Sequence, residues 1–297
     1  MGARKGRTAD DEILSAMLLE EIESTPEACL VSAGEDGDVA EARRLLESGL
    51  SLFQADCGTT AFRRAVEHHH LPILELLVQF GFDLRIALIE AVRTADTPEV
   101  LAYLISSGCD PRQADASGWQ PLQFAARFGR TESLKFFIEE HGLDAAEKDH
   151  EQITLLMLAS LSAESGDQWS PCLDYLLGLG LDVNSRDVTG FTALIRASYF
   201  GFLQNTRLLL IHGADPNIQT DDGNTVLMLA AGAEQSDNDR IMAIENGLLL
   251  VRRNRYPDIV RLLLESGADT EIVDGDGCRA LDYAHRRGSE DIVAMLM

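Results

Sequence analysis

One spacing constrains this 297-residue chain more than any other feature. An apolar residue followed three positions later by alanine recurs at Leu30/Ala33, Phe62/Ala65, Leu88/Ala91, Leu122/Ala125, Leu156/Ala159, Leu194/Ala197, Leu227/Ala230 and Leu281/Ala284. The alanines are separated by 32, 26, 34, 34, 38, 33 and 54 residues. Each of the first seven is followed by a second apolar run that ends in glycine, at Gly49, Gly81, Gly108, Gly142, Gly180, Gly213 and Gly267. A period near 33 residues with two short helical patterns per unit specifies a repeat array, because each unit covers its apolar face only by stacking on its neighbours.

One unit shows the local physics. Thr192 precedes Ala193-Leu194-Ile195-Arg196-Ala197 and is placed to cap the free N–H groups of a first helix. In the second helix, Leu208, Leu209 and Leu210 supply the apolar face, and Gly213 supplies the left-handed conformation that closes a helix C-terminus. Ala214-Asp215-Pro216-Asn217 and then Asp222-Gly223 form an extended piece and a turn before Thr225. The unit reads as helix, turn, helix and projecting hairpin.

These residues resemble the ankyrin repeat. The junction Gly213-Ala214-Asp215-Pro216-Asn217, with Asp222-Gly223-Asn224-Thr225-Val226-Leu227 after it, carries the resemblance, and Gly180-Leu181-Asp182-Val183-Asn184 and Gly267-Ala268-Asp269 repeat it. The implied fold is an all-α, right-handed ankyrin-repeat solenoid of helix-turn-helix units with short β-hairpin fingers. About eight units fill residues 25–297, behind an N-terminal tail and capping helix in residues 1–24. The family's usual histidine in its Thr-Pro-Leu-His tetrapeptide is replaced by Arg63, Gln123, Met157, Ile195, Met228 and Asp282. The hydrogen-bond network of that histidine is therefore expected to be missing, with lower stability than a consensus array.

Breaks in the pattern locate special features. From closing glycine to next apolar marker the distance is 13 or 14 residues except from Gly81 to Leu88, where it is 7, so the hairpin near 82–87 should be shortened. That notch reads either as a partner's groove or as a neutral loop deletion. The seventh unit carries an insertion near 232–255, in which Ile241, Ile244, Leu248 and Val251 fall on one face of an expected helix. This helix reads as a docking element or as an extension of the stack. Trp169 stands in a smaller insertion, a candidate anchor, with Pro171 starting the following helix. Ile13, Leu14, Met17, Leu18 and Ile22 form a helical stripe suited to covering the open end of the array, or to binding a partner. The apolar end Met295-Leu296-Met297 suggests self-association or a fragment of a longer protein.

Chemistry finds little support. His68-His69-His70 lies in a turn, where adjacent side chains diverge instead of converging on a metal. Asp274-Gly275-Asp276-Gly277 lacks the glycine that a calcium loop needs at its sixth position, which here is Arg279. Neither a phosphate loop nor a nucleophile elbow occurs, so no enzyme and no cofactor or metal is expected. Asn184 and Asn217 match the family's asparagine-hydroxylation position but also serve its turn. Five cysteines without a C-x-x-C pair read as reduced thiols. No apolar run of bilayer length occurs, and the expected location is cytoplasmic or nuclear.

The resemblance implies an interaction scaffold or adaptor that binds a protein on hairpin tips and first helices, at Ser117, Trp119, Thr189, Phe191, Asp221, Asp222, Asn224 and Asp276. Trp119 is the leading anchor, since interface energy concentrates in aromatic and Arg side chains. The formal charge of -24 excludes nucleic acid and anionic membrane as favoured partners, and favours a basic protein. The alternative is an acidic inhibitor or immunity-type protein that covers a basic active site.

Overall fold

The computed structural model describes residues 25–53, 56–162, 169–233, 241–245, 248–252 and 255–297. The expected capping stripe at 13–22 lies outside them. The chain divides into two compact units, residues 1–115 and 116–297.

The first unit holds three helix pairs: α1 (Pro26–Asp36) with α2 (Val39–Glu47), α3 (Cys57–Glu67) with α4 (Leu71–Gln79), and α5 (Leu84–Thr94) with α6 (Pro98–Ser106). Thr25 caps α1 by accepting the Ala28 N–H, and Pro26, Pro72 and Pro98 sit in first turns, where the missing N–H costs nothing. The first helices stack α1 on α3 and α3 on α5. The marker residues Leu30, Phe62, Leu88, Ala33, Ala65 and Ala91 are buried between them. Contact is close enough that a Cβ on Gly34 would lie 2.6 Å from the Ala61 carbonyl oxygen. Between Gly81 and α5 only Phe82 and Asp83 intervene, so this junction has no finger and the link is shorter than 82–87. Phe82 stacks on Phe62 at 4.3 Å, and Asp83 caps α5 through the Arg85 N–H at 2.9 Å.

The second unit holds five pairs: α7 (Pro121–Arg127) with α8 (Thr131–Lys135, continued by a π turn at Phe136–Glu140), α9 (Leu155–Ala159) with α10 (Pro171–Gly178), α11 (Ala193–Tyr199) with α12 (Leu203–Ile211), α13 (Val226–Ala231) with α14 (Tyr256–Glu265), and α15 (Ala280–Arg287) with α16 (Glu290–Leu296). The first helices pack in the order α7, α9, α11, α13, α15, and the second helices in the order α8, α10, α12, α14, α16. Ala125, Ala159, Ala197, Ala230 and Ala284 are each 0 % exposed, so every repeat alanine sits where another helix comes against it. The turn after α9 is tied inward by Asn205, whose Nδ2 donates to the carbonyls of Ser160 and Ser162 and whose Oδ1 accepts the Ser170 N–H.

Two expectations need correction. The insertion in the seventh unit contains no helix among its described residues: β1 (Ile241–Glu245) pairs antiparallel with β2 (Leu248–Arg252), Glu245 opposite Leu248. The sequence between the strands is Asn246-Gly247, the dipeptide that most favours a two-residue hairpin loop, and it overrides a helical spacing that rests on only four apolar residues. The histidine position is also less empty than expected. Gln123 and Asp282 side chains accept the Gln120 and Arg279 N–H groups at 2.8 Å, and Arg63 pairs with buried Glu90 on the next first helix.

Candidate protein-binding surface

The fingers of the second unit are built on one repeated turn. In the fifth, sixth and eighth fingers an aspartate Oδ1 accepts the backbone N–H two and four residues on: Asp149 from Glu151 and Ile153, Asp187 from Thr189 and Phe191, Asp274 from Asp276 and Cys278, at 2.8–2.9 Å. In the seventh finger Thr220 Oγ1 accepts the Asn224 N–H instead. The position before the last of these donors has positive φ, at Gly190, Gly223 and Gly277, and also at Gln152 with φ 61°. Gln152 lacks the freedom of glycine there, which hides the fifth finger from a search for Asp-Gly turns.

The second carboxylate oxygen finds a donor nine residues later, on the first helix. Asp187 Oδ2 accepts from the Arg196 guanidinium at 2.7 Å, and Asp274 Oδ2 from the Tyr283 hydroxyl at 2.6 Å. Burial, the largest single influence on Asp187, pushes its pKa up, but Arg196, the Thr189 hydroxyl and the N–H groups of Thr189 and Phe191 together hold it below its ordinary value. Asp274 is lowered chiefly by Tyr283. Tyr283 is in turn pushed up to about 12, by burial first and by Asp274 second. In the fifth finger the same register holds Leu158, and Asp149 Oδ2 is buried without a hydrogen-bond partner.

Successive fingers are linked through their backbones. Val188 N–H donates to the Glu151 carbonyl at 3.0 Å, Asp221 to Thr189 at 3.2 Å and Gly275 to Asp222 at 3.1 Å. Side chains add to the row: Arg186 pairs with Asp221 at 2.7 Å, Gln219 Nε2 donates to the Val273 carbonyl, and the Asn224 side-chain amide lies 2.7 Å from the Tyr283 hydroxyl oxygen. At the finger base, Asn184 bridges the Gly213 carbonyl and Asp215 N–H, and Asn217 bridges the Gly267 carbonyl and Asp269 N–H. Both amides are thus engaged in holding one repeat to the next.

This geometry divides the residues singled out from sequence. Ser117, Thr189, Asp222 and Asp276 occupy one register of successive tips and are all exposed, and Glu151, which sequence reasoning missed, belongs with them. Asp221 is exposed beside Arg186. Trp119, Phe191 and Asn224 follow the turn glycine and lean inward. Trp119, the leading anchor of the sequence reading, is only 8 % exposed and packs edge-on against Phe124 at 5.5 Å. Phe191 and Asn224 are half-buried. Trp169, at 47 % exposure, is the tryptophan that faces solvent, beside the Ser170 cap of α10.

Elsewhere the titratable groups serve structure. His70 Nε2 bonds the Glu35 carbonyl at 3.0 Å, and among the described residues no group of three or more His, Cys, Asp or Glu could hold a metal ion. All five cysteines are free thiols, and burial pushes Cys109 up to about 11. Among the described residues no helix is long and apolar enough to cross a membrane.

Comparison with known proteins agrees with this architecture. The sequence profile described as "Ankyrin repeats (3 copies)" matches residues 88–187 and 160–247, and that described as "Ankyrin repeat" matches residues 222–275. Relatives include ankyrin repeat and SOCS box protein 6 of Homo sapiens, 37% identical over 142 residues, which are 43% of this chain and 30% of that protein. The B-cell lymphoma 3 protein homolog of Mus musculus is 26% identical over 200 residues, 66% of this chain and 39% of that protein. Alpha-latroinsectotoxin-Lt1a of Latrodectus tredecimguttatus is 30% identical over 146 residues, 48% of this chain and 10% of that protein. The chain therefore spans less than half the length of each of these relatives. With its profile matches, its paired helices and its linked fingers, the chain belongs to the ankyrin repeat family.

Proposed function

We propose that this chain is a protein-binding scaffold or adaptor whose partner lies across the finger tips of the second unit and presents a basic surface to them. Family membership supports a protein–protein interaction module. The observation that carries the finer reading is the tip register itself: Ser117, Glu151, Thr189, Asp222 and Asp276 are exposed in successive fingers, and three of the five are acidic. Fixed spacing is what a recognition surface needs, because little ordering entropy is then spent on binding.

The test is affinity capture at low and high salt with wild type and with E151Q/D222N/D276N. The expected result is a partner whose affinity falls at least about tenfold in the variant and in high salt, with far-UV circular dichroism unchanged. A partner held equally by both proteins at both salt concentrations sinks the tip reading. The same acidic row favours a second reading, an inhibitor that covers a basic active site. It requires the partner's activity to disappear at a one-to-one ratio, whereas a scaffold leaves that activity intact.

A further inference from the structure

We infer that the cleft between the fourth and fifth fingers, within the second unit, receives an arginine side chain from the protein partner. The inference rests on the protein-binding reading above and names what that partner inserts. Neighbouring fingers elsewhere close on each other. A Cβ on Gly190 would lie 2.5 Å from Arg186 Nη2 and 2.8 Å from Asp221 N, and one on Gly223 would lie 2.8 Å from Gly275 N. At Gly118, the equivalent residue of the fourth finger, the nearest atom is His150 Nδ1 at 4.0 Å. A cavity of about 220 Å³ fills that wider gap, lined by Asp144, Glu147, Asp149 and Lys148 and by apolar Leu122 and Leu155. That is below the roughly 300–1,000 Å³ of small-molecule sites and suits a single side chain.

The chain itself shows what fits such a gap. Between the sixth and seventh fingers the Arg186 guanidinium lies over Gly190 and pairs with Asp221. In the fourth finger the register of Arg186 is held by Ala114, which offers no cation. Asp149 is uncompensated as well: its counterparts Asp187 and Asp274 have Arg196 and Tyr283, while its own Oδ2 is buried with no partner. Asp144, Glu147 and Asp149 thus line the opening with Lys148 and His150 as its basic side chains. A guanidinium matches this setting better than a second ammonium, because it is planar, weakly hydrated and able to bond two carboxylates at once. Its methylene stem suits Leu122 and Leu155.

The test titrates the full ¹⁵N-labelled chain with N-acetylated, C-amidated tripeptides Gly-Arg-Gly, Gly-Lys-Gly and Gly-citrulline-Gly. The expected result is saturable shifts of the Gly118, Glu147 and His150 amides with the arginine peptide, and binding at least about tenfold weaker with lysine or with the uncharged isostere citrulline. Absence of saturable shifts, or equal binding of citrulline, overturns the inference without recourse to any variant. D144N/E147Q/D149N keeps the turn acceptors of Asp144 and Asp149 and should lose the arginine peptide, while D174N/E265Q/D291N, with the same change of charge elsewhere, should retain it. Equal loss in both overturns a specific site. A protein partner recovered equally by wild type and by D144N/E147Q/D149N keeps the protein-binding reading and rejects the cleft. Failure of wild type to hold any partner rejects that reading itself, and the tripeptide titration still judges the cleft separately.

Discussion

Asp187 shows how much of this fold hangs on a single carboxylate. Its side chain is 3% exposed, accepts three bonds through one oxygen and pairs with the 16%-exposed Arg196 through the other. Asp187→Ala strands a mostly buried guanidinium and opens the turn, and is expected to cost about 3–5 kcal/mol, read as a lowered midpoint in urea. The pH dependence has a definite sign. The folded pKa lies below the ordinary aspartate value, so this contribution is fully present above the unfolded pKa and is lost as pH falls through the folded value. Asp187→Asn should therefore flatten the acid limb of the stability curve below about pH 4; an acid limb identical to wild type contradicts this role. The role of Asp187 as a turn residue was legible in the sequence, since aspartate holds the same register at Asp115, Asp149 and Asp274. Its partner was not, because Arg196 and Tyr283 stand at one register with unlike chemistry, and only the geometry shows that both answer the same oxygen.

At the scale of the element, the fingers divide into those that glycine makes easy and one that it does not. Gln152 holds φ 61° where its neighbours have glycine, and relieving left-handed backbone strain is worth roughly 1 kcal/mol. Gln152→Gly should raise the unfolding midpoint by that amount. The opposite outcome is expected of Gly223→Ala, whose new methyl meets Gly275 N at 2.8 Å at a backbone φ of +84°. That substitution should destabilise by at least about 2 kcal/mol and speed amide exchange in the seventh and eighth fingers. If both substitutions prove neutral in urea titration, the finger contacts carry no stability. The eight helix pairs were legible because the alanine and glycine markers are set by packing and capping, which tolerate few alternatives. The β1–β2 hairpin was misread because four apolar residues suit either period, and the deciding Asn246-Gly247 lay between them. The packing of Trp119 was not legible, because the sequence places it beside a turn glycine without showing that its ring turns back against Phe124.

Across the whole chain, charge and stacking set the behaviour. With 25 basic against 49 acidic residues, self-repulsion opposes folding and is screened by salt. The melting temperature should rise between about 0.01 and 0.15 M ionic strength, over which the Debye length falls from roughly 30 to 8 Å; a flat or falling profile contradicts this. Stability should also be uneven along the array, since each pair is supported only by its neighbours. In α15 and α16 only Ala280, Ala284 and Ile292 are buried, whereas α11 alone buries Ala193, Leu194, Ile195, Ala197 and Ser198. Hydrogen exchange should therefore be fastest in the last pair and slow in α11.

The backbone links between fingers also bear on how such a surface can diverge. Glu151, Thr189 and Asp222 enter the row through their carbonyls, and Val188, Asp221 and Gly275 through their amides. No side-chain atom takes part in these links. A lineage can thus rewrite the chemistry displayed at the tips whose carbonyls accept, acid to base or polar to aromatic, while keeping the spacing between tips. The amide positions carry one prohibition, proline, which has no N–H to give. The side chains displayed along the tips can therefore change on an unchanging frame.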